Sequence, residues 1–289
     1  MKLPSLEFET TWKLQQLEGL ISQLNPSSNI DDPIEIQNDV LSQAIPTDVS
    51  IAVSYACKAF LYVYTGIRRT GSAKSCGTGL VVSVESELPP GAGLGSSAAF
   101  STSLTAALLA FLRTEPSSQD VISRWAFKCE HVFHGKPSGI DNSICTFGGA
   151  VLFREGKVVE HLTSFQKMNA LLVYTNVTRN TKTLVEGVTR KREKYSQVVH
   201  HTMEAIDSIS CNAWELIKQG KYTGLERQEL VEMNQYLVNL LGAGHETIDK
   251  VLGIAKKHGQ TGKLTGAGGG GCVILHMNPG IFIKSFILH

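Results

Sequence analysis

The sequence predicts a mixed chain of helices and short strands in two domains, and three observations carry that reading. Its 289 residues exceed the roughly 100–200 that a single domain usually holds. A valine-rich, alternating stretch at 80–85 runs into Pro89-Pro90-Gly91 and then into an Ala- and Leu-rich stretch at 96–113 without glycine or proline. This gives strand, glycine loop and helix in that order. Three short β-prone runs at 150–153, 157–159 and 170–174 then precede a long segment with apolar residues at helical spacing.

Residues 3–50 are polar, with Ser, Asn, Asp and Pro clustered at 25–33, and read as short helices and loops around a turn. The most apolar stretch, 52–67, is interrupted by Lys58 and falls short of the roughly 20 residues of a membrane span, so a buried helix is expected. After the strand at 80–85, the 96–113 helix should be packed on most of its faces. A further helix at 121–133 is stopped by Gly135 and Pro137. Val185, Val188, Val198, Met203, Ile206 and Ile209 mark helices within 181–228, and another helix covers 230–241. The domain boundary is drawn between 166 and 167.

With 27 basic and 26 acidic residues the net charge is +1, which supplies neither a basic footprint for nucleic acid nor a polybasic membrane patch. Any partner is therefore recognised locally. The six cysteines form no C-x-x-C pair, and residues 1–13 lack a charged segment followed by an apolar one, which fits a reduced cytoplasmic chain.

Three constellations carry chemistry. In Pro90-Gly91-Ala92-Gly93-Leu94-Gly95-Ser96-Ser97, glycines at alternate positions let backbone N–H groups turn inward at a helix start, which makes an anion cradle. The bland reading is a tight connection capped by Ser96. In the second, Glu130 and Asp141 flank a Pro137-Ser138-Gly139 turn, where one carboxylate could ligate a metal and the other act as a base. Ser138 and Asp141 equally fit an S-x-x-D capping box. His131 and His134 suggest zinc, but no third ligand follows at metal spacing. The third, Gly266-Ala267-Gly268-Gly269-Gly270-Gly271, holds five glycines in six positions and leads directly into a β-prone run. Backbone must approach something closely there, as in a phosphate-side loop rather than a linker. Arg179-Asn180-Thr181 is either a surface turn capping the next helix or a substrate contact.

Two glycine loops and a paired-carboxylate turn resemble the GHMP kinases. The run from Glu87 to Ala99 is similar to that family's ATP-phosphate motif and 263–272 to its third motif. His134-Gly135-Lys136-Pro137-Ser138-Gly139-Ile140-Asp141-Asn142, Phe147-Gly148-Gly149-Ala150 and Arg179-Asn180-Thr181 place the resemblance closest to the animal mevalonate kinase branch. The resemblance implies an α+β fold of two domains. The first, 1–166, would be like the second domain of ribosomal protein S5, and the second, 167–289, ferredoxin-like. It implies ATP as co-substrate, Mg²⁺ held by Ser97 and Glu130, and Asp141 as catalytic carboxylate. Residues 90–97 would wrap the phosphates, Gly266, Ala267, Gly268, Gly269 and Gly270 would support the nucleotide-side loop, and Ser138, Gly139 and Thr181 would lie beside mevalonate. A homodimer is the assembly the family suggests. The family's first motif, with its lysine, has no counterpart here, and its C-terminal part is shortened. The expectation from both is a chain truncated at its two ends and weak or inactive as a kinase.

Overall fold

The computed structural model describes residues 1–24, 29, 31–33, 38–70, 79–88, 94–113, 115–134, 137–154, 156–177 and 181–277, without the side chains at 38, 133, 134, 181 and 182. The chain divides into two compact units, Met1–Leu88 with Gly95–Thr163, and Pro89–Leu94 with Ser164–His289.

The first unit opens with a small antiparallel pair, β1 (Lys2–Leu3) and β2 (Phe8–Glu9), followed by α1 (Leu14–Ser22) and α2 (Asn38–Ser42). Its centre is α3 (Ile51–Arg69), against which α4 (Ser96–Leu112) and α5 (Gln119–His134) pack. The Ser50 hydroxyl caps the start of α3 by accepting from the Val53 N–H at 3.3 Å, and Arg68 and Arg69 complement its carboxyl-terminal dipole end. Helices on several sides explain why the apolar run is buried right round: Leu61, Val63 and Ile67 are fully buried, beside Leu109, Leu112 and Trp125. Each such side chain contributes about 1.5–3 kcal/mol through burial. Trp125 packs its ring at a tilt against Tyr62, with centroids 5.9 Å apart.

The strand expected at 80–85 is reduced to a single bridge. Its residues do alternate, with Leu80, Val82 and Val84 packed on the core, and it exchanges two hydrogen bonds with Lys2. The partner strand β1 is only two residues long, so the ladder cannot extend. The unit ends in α6 (Ile140–Phe147) and an antiparallel hairpin of β3 (Ala150–Arg154) and β4 (Lys157–Leu162), irregular between Leu152 and Phe153.

In the second unit, β5 (Ala170–Tyr174) precedes four helices: α7 (Thr181–Lys194), α8 (Ser196–Lys218), α9 (Gly224–Leu241) and α10 (Glu246–Lys257). Strands β6 (Thr261–Leu264) and β7 (Cys272–His276) complete an antiparallel sheet of order β5-β7-β6. Val273 and Leu275 on the central strand β7 pack with Ile248, Ala255 and Leu264 to form the core beneath α9 and α10. Gln235 on α9 reaches into this layer, its side-chain oxygen accepting from the Leu264 N–H at 2.8 Å. Among the described residues, no helix is long and apolar enough to cross a membrane.

Candidate active site

The site begins with a backbone turn. Gly95 adopts φ +71° and caps α4, and the Ala99 N–H donates to its carbonyl at 2.9 Å to open the helix. The bland alternative, Ser96 as the cap, does not hold: Ser96 is already helical, and no side chain caps this end. The first N–H groups of α4 are thus left without a side-chain cap, the arrangement that attracts anions to a helix start.

Ser97, the second residue of α4, donates its hydroxyl to Glu130 Oε1 on α5 at 3.1 Å. Glu130 is 4% exposed. Burial chiefly raises the pKa of its carboxyl, the Ser97 hydrogen bond opposes this, and the charge of Asp141 adds to the rise.

Asp141 lies in the first turn of α6 and is exposed. A Cβ placed on Gly95 would sit 3.4 Å from both Cβ and Cγ of Asp141, so the cap of α4 lies directly against this carboxylate. The capping box does not form. Gly139, at φ +83°, is the cap, and the Ser138 hydroxyl instead accepts from the Ile140 N–H at 3.3 Å. Among the described residues Asp141 makes no hydrogen bond.

Two neighbours of Asp141 hold positions that their sequence context does not announce. Asn142 is buried and donates to the Ser123 carbonyl at 3.3 Å, which pins the start of α6 to α5. Cys145 follows Asp141 by one helical turn. Burial first, then the charges of Asp141 and Glu130, raises the pKa of its thiol.

Ser97 and Glu130 thus offer one hydroxyl and one carboxylate, with the charge of Asp141 nearby, an all-oxygen pair suited to a hard divalent cation such as Mg²⁺. The buried Glu130 carboxylate, further burdened by Asp141, is a group that a cation would relieve. These residues fit the metal.

The second glycine loop, which joins β6 to β7, is packed rather than slack. A Cβ on Gly268 would come within 2.2 Å of the Ala243 carbonyl oxygen, and one on Gly270 within 2.6 Å of that of Val177. The Gly269 and Gly271 N–H groups donate to those same two carbonyls at 2.8 and 2.9 Å. The close approach expected from the sequence is to the loop's own unit, and these two amides are already committed there. Pro90, Gly91, Ala92, Gly93, Arg179 and Asn180 lie outside the described residues, as does the Thr181 side chain.

The GHMP kinases N terminal domain family matches residues 54–149, the stretch that holds Ser97, Glu130 and Asp141. Mevalonate kinase of Homo sapiens is 35% identical, the match covering 97% of this chain and 75% of that one. The chain belongs to the mevalonate kinase family. Mevalonate kinase of Arabidopsis thaliana, 32% identical, is matched over 99% of this chain and 80% of its own length.

Among solved structures, mevalonate kinase of Methanococcus jannaschii aligns over 96% of this chain and 76% of its own with a TM-score of 0.68 at 21% identity. L. major mevalonate kinase in complex with R-mevalonate aligns over 64% of this chain and 57% of its own, with a TM-score of 0.57 at 23% identity. At such identities these likenesses show the fold, and the GHMP kinase fold implied by the sequence is the one observed.

The Glu130 environment in this mevalonate kinase homologue has a measurable consequence. A carboxyl whose pKa is raised on folding costs stability as pH climbs from its unfolded value through its folded one. Glu130→Gln removes that cost and keeps an acceptor for Ser97. The variant is expected to melt higher than the unmodified chain at neutral pH, with the gap closing in acid, while its affinity for MgATP falls. Thermal melts from pH 4 to 8 check this, and a lower melting temperature at neutral pH would contradict it.

Proposed function

We propose that this chain transfers the γ-phosphoryl group of ATP to the primary hydroxyl of mevalonate, giving 5-phosphomevalonate and ADP. The observation that carries the reading is the convergence at the start of α4, where Ser97 meets Glu130 at 3.1 Å and Gly95 rests on Asp141. Phosphoryl transfer asks chiefly for positioning and charge neutralisation.

In this reading Asp141 takes the proton from the attacking hydroxyl as its oxygen bonds to the γ-phosphorus and the bond to the β–γ bridging oxygen breaks. Ser97 and Glu130 hold Mg²⁺, which neutralises charge on the phosphates when bound. The N–H groups at Gly95, Ser96 and Ser97, with Pro90 to Leu94, wrap the phosphates. Gly266 to Gly270 support the nucleotide-side loop, and Ser138, Gly139 and Thr181 contact the substrate. The relatives' names support mevalonate as the substrate; with that substrate, the reading places the reaction in cytoplasmic isoprenoid and sterol biosynthesis. A homodimer is the assembly to test.

A panel of alcohols separates this from neighbouring chemistries. With MgATP, mevalonate is expected to give the highest kcat/KM against phosphomevalonate, galactose and homoserine. Preference for phosphomevalonate would reassign the substrate, and binding of MgATP without turnover on any alcohol would make the chain a binding module.

A further inference from the structure

Helix α8 carries a group of side chains that the proposed kinase chemistry does not use. His200 Nε2 lies 3.4 Å from Glu204 Oε1, and His201 Nδ1 lies 2.9 Å from Glu204 Oε2. One donor atom from each of the three residues lies within 4.8 Å of the other two. We propose that His200, His201 and Glu204 form a binding site for a first-row divalent metal ion such as Zn²⁺.

The spacing supplies the geometry. Residues three and four apart on a helix stand on one face, so Glu204 meets both imidazoles from the following turn. The two rings stand 5.3 Å apart by centroid and open onto a shared carboxylate. Two ligands on one ion with bonds of about 2.1 Å lie no more than about 4.2 Å apart. The 2.9 and 3.4 Å separations, each to a different oxygen of Glu204, fall within this limit. A donor pair at the 4.8 Å limit would need to close by about half an ångström, within reach of side-chain rotation.

The chemistry supplies the selectivity. Two imidazole nitrogens and one carboxylate oxygen favour Zn²⁺, Ni²⁺, Co²⁺ and Cu²⁺ over Mg²⁺ or Ca²⁺, which seek oxygen. This distinguishes the site from the all-oxygen pair at Ser97 and Glu130. All three side chains are open to solvent, at 61%, 68% and 58%, so an ion can enter without any rearrangement of the core. His200 also lines a cavity of about 650 Å³ formed with Leu184, Val188, Val199 and Met203.

The test titrates the full chain, free of any affinity tag and carrying Cys145→Ser and Cys211→Ser to remove competing thiols. Zn²⁺ is followed by calorimetry and Co²⁺ by its absorption spectrum. The expected result is saturable one-to-one binding that excess Mg²⁺ does not displace, weakened about tenfold or more in His201→Ala and in Glu204→Gln, and unchanged in His258→Ala. These exposed substitutions leave the core intact, and circular dichroism confirms that each variant is folded. Absence of saturable binding up to millimolar Zn²⁺, or an affinity unmoved by His200→Ala, His201→Ala and Glu204→Gln, would overturn the proposal.

Discussion

Asp141→Asn is expected to lower kcat by about 10²–10⁴-fold while leaving the Kd for MgATP within a few-fold. The substitution keeps the size and shape of the side chain, and Asp141 takes no part in capping α6, a task left to Gly139 and the Ser138 hydroxyl. Folding therefore loses little. What goes is the acceptor for the substrate proton, on a carboxylate with no hydrogen bond to occupy it among the described residues. ADP release and nucleotide titration together separate the two effects. Equal loss of binding and turnover would assign Asp141 a structural role at the start of α6.

Gly268→Ala is expected to destabilise the second unit by about 3 kcal/mol or more, since the new Cβ combines two costs. At φ +79° an L side chain is strained, and the atom would lie 2.2 Å from the Ala243 carbonyl oxygen and 2.9 Å from a Leu264 methyl. Neither backbone can yield cheaply, because the Gly269 N–H is bonded to that same Ala243 oxygen. Gly253, within α10, provides the contrast: a Cβ added there would meet nothing within 4 Å, and Gly253→Ala should stabilise by about 0.5–1 kcal/mol. Urea unfolding of both variants checks the pair. A neutral Gly268→Ala would show that the loop is slack.

The helices were legible where a local signal suffices. An apolar run interrupted once by Lys58 marked α3, and the absence of glycine and proline marked α4. The stretch at 80–85 carried the right alternation, but a strand also needs a partner, and only Lys2 supplies one. The hydroxyls of Ser96 and Ser138 suggest caps in sequence, as the bland alternatives to a site, whereas left-handed turns at Gly95 and Gly139 decide where the helices begin. In the site, the residue types at Ser97, Glu130 and Asp141 were readable through family resemblance. That a serine would meet a glutamate 33 positions away, and that a glycine cap would rest on Asp141, followed only from the packing of α4 against α5 and α6. The glycines at 268–270 announced a close approach without saying to what, since the carbonyls of Ala243 and Val177 come from distant segments.

The most direct measurement is ADP release by the purified 289-residue chain in MgATP, with and without mevalonate, beside Asp141→Asn. Mevalonate-dependent release in the unmodified chain that falls by about two orders of magnitude or more in the variant is the expected result. Release that ignores mevalonate, or that Asp141→Asn leaves unchanged, would contradict the account.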